Sequence, residues 1–247
     1  MSIATTFPAA LSGALGGDMA RPLVTFYDDA TGQRVELSLA TYANWVAKTA
    51  GLVQDEVGLE RGDLVLLDLP THWLGPVWLG AAWSLGVCAT DDRALAAAAD
   101  LVVCGPDRVA AHAADAGDVP VLAMSLRPLG GPFTVRLPTG VTDYGTVVLA
   151  QPDAFTAVDP PVATDAAWRD AAGSLDQAAL LEAAGSSPVV SPGGRLLTGV
   201  NPCTRRGLET LTAPLLRGGG TVWVRHPDEG SWSARADQER VTEQLPG

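Results

Sequence analysis

Lysine and cysteine are scarce in this chain, and each scarcity excludes a class of chemistry. Lys48 is the only lysine among 247 residues, so any reaction that needs a lysine at a phosphate or in a Schiff base depends on it. Its position among apolar residues of a predicted helix instead indicates a structural side chain whose amine reaches solvent. The three cysteines, Cys88, Cys104 and Cys203, are widely spaced, which argues against a disulfide framework or a zinc site and favours a reducing compartment.

Basic residues and long apolar runs are also few. The chain has 16 Lys and Arg against 28 Asp and Glu, and the net charge of -12 disfavours nucleic acid and anionic membranes as partners. No apolar run approaches the roughly 18 residues that span a bilayer, and the N-terminus lacks the pattern of a signal peptide. The sequence therefore predicts a cytoplasmic protein. Its apolar content of 47% suffices for a substantial core, and we expect residues 1–247 to form a single α/β domain.

The clearest structural pattern runs from Ser38 to Ala89. Apolar residues at helical spacing follow Ser38, which is a good N-cap, and predict a first helix. Leu64–Leu69 is an almost unbroken apolar run between turn residues, which is typical of a strand covered on both faces of a parallel sheet. A second helix is predicted next, with Pro76 near its first turn and Gly86 as its C-terminal stop.

Strands and helices alternate through much of the remaining chain, which predicts a three-layer, doubly wound and mostly parallel sheet. The predicted strands outside the Ser38 unit are Leu23–Asp28, Arg34–Leu37, Leu101–Cys104, Val119–Ala123, Phe133–Leu137, Thr146–Ala150, Arg195–Val200 and Thr221–Arg225. The predicted helices outside it are Ala9–Leu15, one after Asp92, one after Asp107, one capped by Ser174, Leu208–Leu216 and a weak one over Ala234–Gln244. Residues 127–173 are the least regular because prolines interrupt them, and the tail 228–247 is polar.

Several of these segments match the motifs of a known family. Thr41–Trp45, Gly62–Val65 and Leu85–Val87 correspond in order to a helix of the type TYAEL, a GD-V strand and an AG turn, and Gly219–Val224 corresponds to a GGTVVL strand. This order resembles the N-terminal domain of the adenylate-forming enzymes, the AMP-binding family that includes the acyl-CoA synthetases. A small uncharacterised actinobacterial group related to those enzymes is also similar. The resemblance covers about residues 23–230 and implies a layered α/β fold, with ATP or AMP and magnesium acting on a carboxylic acid.

The segments that handle nucleotide in that family are altered here. Residues 151–173, where its glycine-rich and lysine-bearing phosphate loop is expected, contain no paired glycines, no Ser/Thr run and no lysine, and they carry four aspartates. A phosphate cradle needs backbone conformations that glycine permits and a cation near the ligand. The family's PLFHxxG loop is reduced to residues 202–207 without its histidine. The sequence also ends before the family's adenine-binding and ribose-binding segments and its catalytic lysine, so we expect a truncated and degenerate relative.

Five residues are candidate ligand-binding groups, and no residue is a candidate catalytic group or metal ligand. Asp68 is an acid in an apolar strand, where burial raises a carboxyl pKa unless hydrogen bonds oppose it. His72 follows that strand, where ligands bind in open α/β sheets, although a structural residue without a partner at a helix N-terminus is the simpler interpretation. Asn201 borders the same expected cleft. Arg205 and Arg206 either clamp a carboxylate or phosphate or form a solvated loop pair.

These observations leave three hypotheses open. The leading one is a non-catalytic protein that uses no cofactor and binds a small carboxylate or acyl ligand, or a protein partner. The second is a subunit similar to an acyl-CoA synthetase or AMP-dependent ligase, acting with ATP and a separate partner chain. The third is a homodimer formed through the helix that carries Trp73, Trp78 and Trp83 and through an open sheet edge.

Overall fold

The structure is a computed structural model that describes residues 4–115 and 117–247, while residues 1–3 and Ala116 of the expected domain lie outside the described residues. The strands are β1 (Pro22–Asp28), β2 (Gln33–Ser38), β3 (Leu64–Asp68), β4 (Cys88–Thr90), β5 (Leu101–Cys104), β6 (Val121–Ala123), β7 (Val141–Asp143), β8 (Ala166–Asp170), β9 (Gly173–Asp176), β10 (Arg195–Thr198), β11 (Gly220–Arg225) and β12 (Glu243–Leu245). The α-helices are α1 (Phe7–Leu15), α2 (Leu39–Gly51), α3 (Leu74–Leu85), α4 (Val109–Asp115), α5 (Tyr144–Val147), α6 (Gln177–Ser186), α7 (Leu208–Arg217) and α8 (Glu229–Gln238).

The strands form two mostly parallel sheets. A five-stranded sheet has the order β12-β10-β11-β1-β2, and a seven-stranded sheet has the order β7-β6-β5-β3-β4-β8-β9. The only antiparallel pairings among the described strands are the hairpins β1–β2 and β8–β9, one at an edge of each sheet. The predicted class, mostly parallel α/β, is confirmed. The strands belong to two sheets instead of the single one predicted, and each sheet has helices on both faces.

The two sheets share a middle layer of helices. Successive side chains of β3 point to opposite faces of the seven-stranded sheet. Val65 and Leu67 pack in the main core with α2 and α3, whereas Leu64 and Leu66 pack on the other face. On that outer side Val109 of α4 completes a second cluster. Helix α8 covers the outer face of the five-stranded sheet. A strand buried on both faces must be apolar throughout, which explains the composition of β3.

The predicted unit from Ser38 to Ala89 is confirmed almost residue by residue. The Ser38 hydroxyl accepts a hydrogen bond from the Thr41 N–H at 3.1 Å and caps α2. Gly86 ends α3 with a φ of 74°, a left-handed conformation that favours glycine. The hairpin at β1–β2, the first helix, and the predicted strands at β5, β6, β10 and β11 are also present.

Two predicted strands are absent, and both lie in the proline-rich part of the chain. Residues 133–137 have no regular structure, and residues 146–150 belong to helical turns. The reason is Asp143, whose carboxylate accepts hydrogen bonds from the N–H groups of both Phe133 and Gly145. The second bond starts the turn of α5 and prevents an extended chain.

The helix predicted to start at Ser174 begins three residues later. Ser174 lies in β9, and the carboxylate of Asp176 caps α6 by accepting a hydrogen bond from the Ala179 N–H at 2.7 Å. The β8–β9 hairpin was not predicted. The weak helix predicted over Ala234–Gln244 is also shifted, because α8 starts at Glu229 and the end of that segment enters the edge strand β12.

Candidate functional site

The chain reverses its direction of winding between β3 and β5, two neighbouring parallel strands. From β3 it passes through α3 in the middle layer to β4, and from β5 it passes through α4 on the outer face to β6. The loops that follow β3 and β5 therefore separate toward opposite faces of the sheet. Such a crevice at the carboxyl ends of parallel strands is where ligands bind in open α/β sheets.

A cavity of about 190 Å³ lies in this crevice. Its charged lining residues are Asp68 from the end of β3, Arg93 after β4, and Asp107 and Arg108 after β5. Two of these side chains are well exposed: Arg93 at 57% and Arg108 at 46%. The sequence prediction that Asp68 belongs to a ligand-binding region is consistent with this location and stays a prediction.

The Asp68 carboxylate interacts with three basic side chains in this crevice. Arg93 donates two hydrogen bonds to it, from Nε to Oδ2 at 3.0 Å and from Nη2 to Oδ1 at 2.9 Å. His112 Nε2 lies 2.8 Å from Oδ2, and Arg108 Nε lies 3.7 Å from the same oxygen. Burial raises the pKa of Asp68, but the hydrogen bonds from Arg93 and His112 outweigh it and hold the pKa below the ordinary value. The carboxylate is therefore ionised and fully engaged.

A second, open groove of about 560 Å³ adjoins the cavity across Arg93. Asp91, Asp92 and Asp170 make its lining acidic. Burial raises the pKa of Asp91, and the neighbouring carboxylates of Asp170 and Asp92 raise it further. Together the cavity and the groove form a polar rim along the carboxyl ends of β3, β4, β5 and β8, which we call the carboxyl rim.

The two arginines predicted as a clamp contact different parts of the chain. Arg205 makes paired hydrogen bonds to Asp170, Nε to Oδ2 at 2.7 Å and Nη2 to Oδ1 at 2.8 Å. Arg206 Nη2 instead donates to the Pro246 carbonyl at 3.2 Å. Arg205 thus connects the edge hairpin of the seven-stranded sheet to the loop before α7, and the guanidinium groups do not converge on one point.

We expect the Asp170–Arg205 pair to be detectable by titration. The hydrogen bonds from Arg205 lower the pKa of Asp170 from 3.8 to about 2. A lowered carboxyl pKa stabilises the folded chain above the ordinary value, and the contribution is lost as the pH falls through about 2. In Arg205→Gln the pKa of Asp170, followed by NMR of its carboxyl carbon, should rise toward 3.8. The matched variant Arg206→Gln should leave it unchanged, and an equal effect of both variants would contradict the assignment.

Neither His72 nor Asn201 lines the carboxyl rim: His72 is buried and Asn201 is partly buried. Asn201 Nδ2 donates to the Leu69 carbonyl at 2.8 Å, and its Oδ1 accepts from the Cys203 N–H at 2.9 Å, so both ends of its amide are used within the fold. His72 is 1% exposed, and its ring packs edge-on against Phe26 with centroids 4.8 Å apart. Its Nδ1 accepts from the Leu74 N–H, while Nε2 has no partner among the described residues. The pair contacts no cavity described above.

The segment expected to hold phosphate is acidic in the structure as well. Between 151 and 173 the only glycine is Gly173, which sits in the turn of the β8–β9 hairpin. Lys48 approaches this segment from α2, yet its ammonium donates to the Gln151 carbonyl and lies 3.0 Å from Asp153 Oδ1. Its side chain is 19% exposed and that of Asp153 is 62% exposed, so the ammonium lies near the surface and is held there by protein groups. The amine is already neutralised by a carboxylate.

The tryptophans of α3 and the residue before it belong to the core. Trp73 and Trp78 are 1% exposed and Trp83 is fully buried. The Trp83 Nε1 donates to the Ala167 carbonyl at 2.8 Å, while Trp73 Nε1 has no partner among the described residues. A dimer built on an exposed tryptophan surface is therefore contradicted. The homodimer hypothesis then depends on the open sheet edges alone.

A groove larger than these two lies away from the charged residues. It has a volume of about 840 Å³ and runs between α1, α6 and α7, where small and apolar side chains line it. Its charged lining residues are Asp18, Arg21 and Glu182, and Arg21 already donates to backbone carbonyls of Leu215 and Gly219. The groove therefore offers little chemistry, and the carboxyl rim is the better candidate site.

Sequence reasoning missed the cations around Asp68. Arg93 and Arg108 each come a few residues after a predicted strand, in the runs TDDR and GPDR, and His112 follows one helical turn after Arg108. Because β4 and β5 both neighbour β3 in parallel, residues after them meet at one edge. Once the strand order is known, the Asp-Arg pair that ends both runs indicates a charged site at this edge of the sheet.

Two structural features are absent among the described residues. No helix combines the length and apolar character needed to cross a membrane. No group of three or more His, Cys, Asp or Glu side chains is arranged to hold a metal ion.

Comparison with solved structures defines the class of fold. An acyl-CoA synthetase from Brucella canis superposes with a TM-score of 0.75 at 18% identity, over 96% of this chain and 47% of that one. An acetoacetyl-CoA synthetase from Streptomyces lividans gives 0.77 at 17% identity, over 98% and 42%. The chain thus spans about half the length of these proteins. The fold is that of an acyl-CoA synthetase-like α/β protein, as the resemblance implied.

A sequence relative then places the chain in a narrower group. A TIGR03089 family protein from the actinobacterium Mycobacterium tuberculosis is 36% identical over 254 residues, covering 97% of this chain and 100% of the relative. The chain belongs to the TIGR03089 family. No family model matches it. The expected link to an actinobacterial group is confirmed.

Proposed function

We propose that this protein is a degenerate, non-catalytic member of the acyl-CoA synthetase-like fold that binds a small carboxylate or acyl ligand without activating it. The observation that carries the proposal is the chemistry of residues 151–173. Asp153, Asp159 and Asp170 of this acidic segment form ion pairs with Lys48, Arg61 and Arg205, so these cations are already committed to carboxylates instead of a triphosphate. Lys48, the one lysine available, is paired with Asp153.

ATP, AMP and magnesium do not match the residues present. A triphosphate is held by backbone N–H groups of a glycine-rich loop and by a cation. In the expected segment the prolines at 152, 160 and 161 remove N–H donors, and Arg169 is the only basic residue. Nucleotide chemistry is therefore not part of the function that we propose.

The carboxyl rim supplies the alternative place for a ligand. It lies at the switch of winding direction in the seven-stranded sheet, and it combines a cavity with arginine side chains that remain accessible. A small acid fits such a site because guanidinium groups bind carboxylates with two parallel hydrogen bonds.

The three buried, free cysteines suit a reducing compartment, and we propose that the protein is cytoplasmic.

An ATP–pyrophosphate exchange assay tests the absence of activation. The purified protein is incubated with ATP, labelled pyrophosphate and a panel of short, long, aromatic and amino carboxylic acids, with an acyl-CoA synthetase as the positive control. We expect exchange no faster than in a blank without protein. Exchange that depends on any acid in the panel would overturn the proposal.

The second candidate function is a ligase subunit that works with a partner chain. It is favoured by one observation, the superposition of 96% and 98% of this chain on the two acyl-CoA synthetases compared above. Such a subunit must recognise nucleotide or acyl-adenylate together with its partner. Exchange that appears only when a lysate fraction is added, and copurifies with this chain, would favour this function over the first.

A further inference from the structure

Arg108 lines the cavity of the carboxyl rim beside Asp68. Its Nε lies 3.7 Å from Asp68 Oδ2, which is beyond hydrogen-bond distance, and it makes no side-chain hydrogen bond with the described residues. A guanidinium has five N–H donors in a rigid planar fork. With 46% of its side chain exposed, Arg108 presents these donors at the lining of the 190 Å³ cavity.

Arg93 is held in place beside it. Its paired hydrogen bonds to Asp68 use Nε and Nη2, and Nη1 makes no hydrogen bond with the described residues. His112 binds the same carboxylate from the interior and fixes its orientation. Asp68 thus acts as a positioning group that aligns a second guanidinium along the cavity, and it is not itself available to a ligand.

From this arrangement we propose that the cavity binds the oxyanion group of a small molecule, a carboxylate or a phosphate, between Arg108 and Arg93. The inference rests on the proposed ligand-binding function and names its site and its chemistry. Oxyanions accept paired, charge-assisted hydrogen bonds from arginine, and such bonds are about twice as strong as neutral ones. The site is separate from residues 151–173, where the family resemblance places phosphate.

The hydrogen-bond donors around the cavity favour an anion over a cation. The charges of Asp68 and Asp107 balance those of Arg93 and Arg108, so the selection comes from guanidinium N–H groups that face the cavity and not from net charge. The described residues provide no set of ligands for a metal ion. Among the described residues that line the cavity, the side-chain donors without a hydrogen-bond partner are those of Arg108 and Nη1 of Arg93.

The adjoining groove restricts the rest of the ligand. A molecule that extends past Arg93 meets Asp91, Asp92 and Asp170, of which Asp170 is paired with Arg205. A second negative group there would be repelled by Asp91 and Asp92. We therefore expect a ligand whose far end is neutral or positively charged.

NMR titration of the full chain tests the site with two probes, inorganic phosphate and propionate, each at constant ionic strength against chloride. We expect saturable shifts of the backbone amides of Gly105, Asp107 and Arg108 in the wild type. Arg108→Gln should weaken binding at least about tenfold, since a charge-assisted hydrogen bond contributes that much. Arg136→Gln, which removes an exposed arginine from a loop, is the matched control and should bind as the wild type does.

The outcomes of the titration decide which class of oxyanion binds and whether the site exists. Saturation by propionate alone assigns a carboxylate ligand, saturation by phosphate alone assigns a phosphorylated one, and either result supports the site if Arg108→Gln weakens it. Equal affinity in Arg108→Gln and the wild type, or no saturation by either probe, would overturn the inference. Unchanged spectra elsewhere confirm that the exposed substitution leaves the fold intact. Exchange activity in the earlier assay would overturn the proposed function alone, so the two failures are distinguishable.

Discussion

Replacing His72 by asparagine should abolish much of the acid sensitivity of this protein. Burial lowers the pKa of His72 to about 3, the nearby Arg225 lowers it and Asp28 raises it, while the same side chain in the unfolded chain titrates near 6.5. Protonation therefore favours the unfolded state. The stabilising contribution is complete above pH 6.5, and it declines as the pH falls toward 3.

The expected size follows from the shift. As the pH falls from the ordinary pKa of histidine to about 4, protonation of His72 in the unfolded chain lowers the wild type's free energy of unfolding by up to about 3 kcal/mol, at 1.36 kcal/mol per pH unit. Asparagine keeps an acceptor for the Leu74 N–H and does not titrate. Urea unfolding at neutral pH and near pH 4 measures both proteins. Equal losses in stability for the variant and the wild type would show that His72 does not stay neutral.

Replacing Gly207 by alanine should destabilise the protein by about 3 kcal/mol or prevent folding, because a side chain there has no room. A Cβ at this position would lie 1.8 Å from the Asn201 carbonyl oxygen and 2.8 Å from Pro202 Cα, both backbone atoms. Relief requires the loop to move, which would break the hydrogen bond from Asn201 to the Leu69 carbonyl. That bond connects the end of β10 to the end of β3.

The control for this substitution is Gly185→Ala. Gly185 lies within α6, and a Cβ there meets nothing within 4 Å. Alanine at an open helical position stabilises by roughly 0.5–1 kcal/mol relative to glycine. Chemical denaturation of both variants should therefore give changes of opposite sign. A tolerated Gly207→Ala would contradict the close approach of Gly207 to the Asn201 carbonyl.

The sequence predicts most of the fold because its strongest local patterns agree with the tertiary structure. Ser38 caps its helix, Gly86 stops the next one, and the run after Gly62 is apolar enough to identify a buried strand. The failures have a common cause. At Asp143 and Asp176 the helix starts are set by side-chain hydrogen bonds whose partners cannot be read from apolar spacing alone.

The division into two sheets is not visible in the sequence. Strand order depends on which helix lies on which face, and β1 pairs with β11 across almost two hundred residues. The candidate site shares this difficulty. Asp68 stands out as an acid in an apolar strand, yet Arg93 and His112 reach it only because β4 and β5 flank β3. Arg205 stands out as part of a cationic pair, although its partner Asp170 is distant in sequence.

Isothermal titration calorimetry with magnesium-ATP, AMP and a non-hydrolysable acyl-adenylate analogue measures whether this fold still binds nucleotide. We expect no saturable heat for any of the three, because the acidic segment 151–173 and the paired Lys48 provide no cradle for phosphate. Stoichiometric binding of any of them, with an affinity that falls when Lys48 is replaced by methionine, would contradict it.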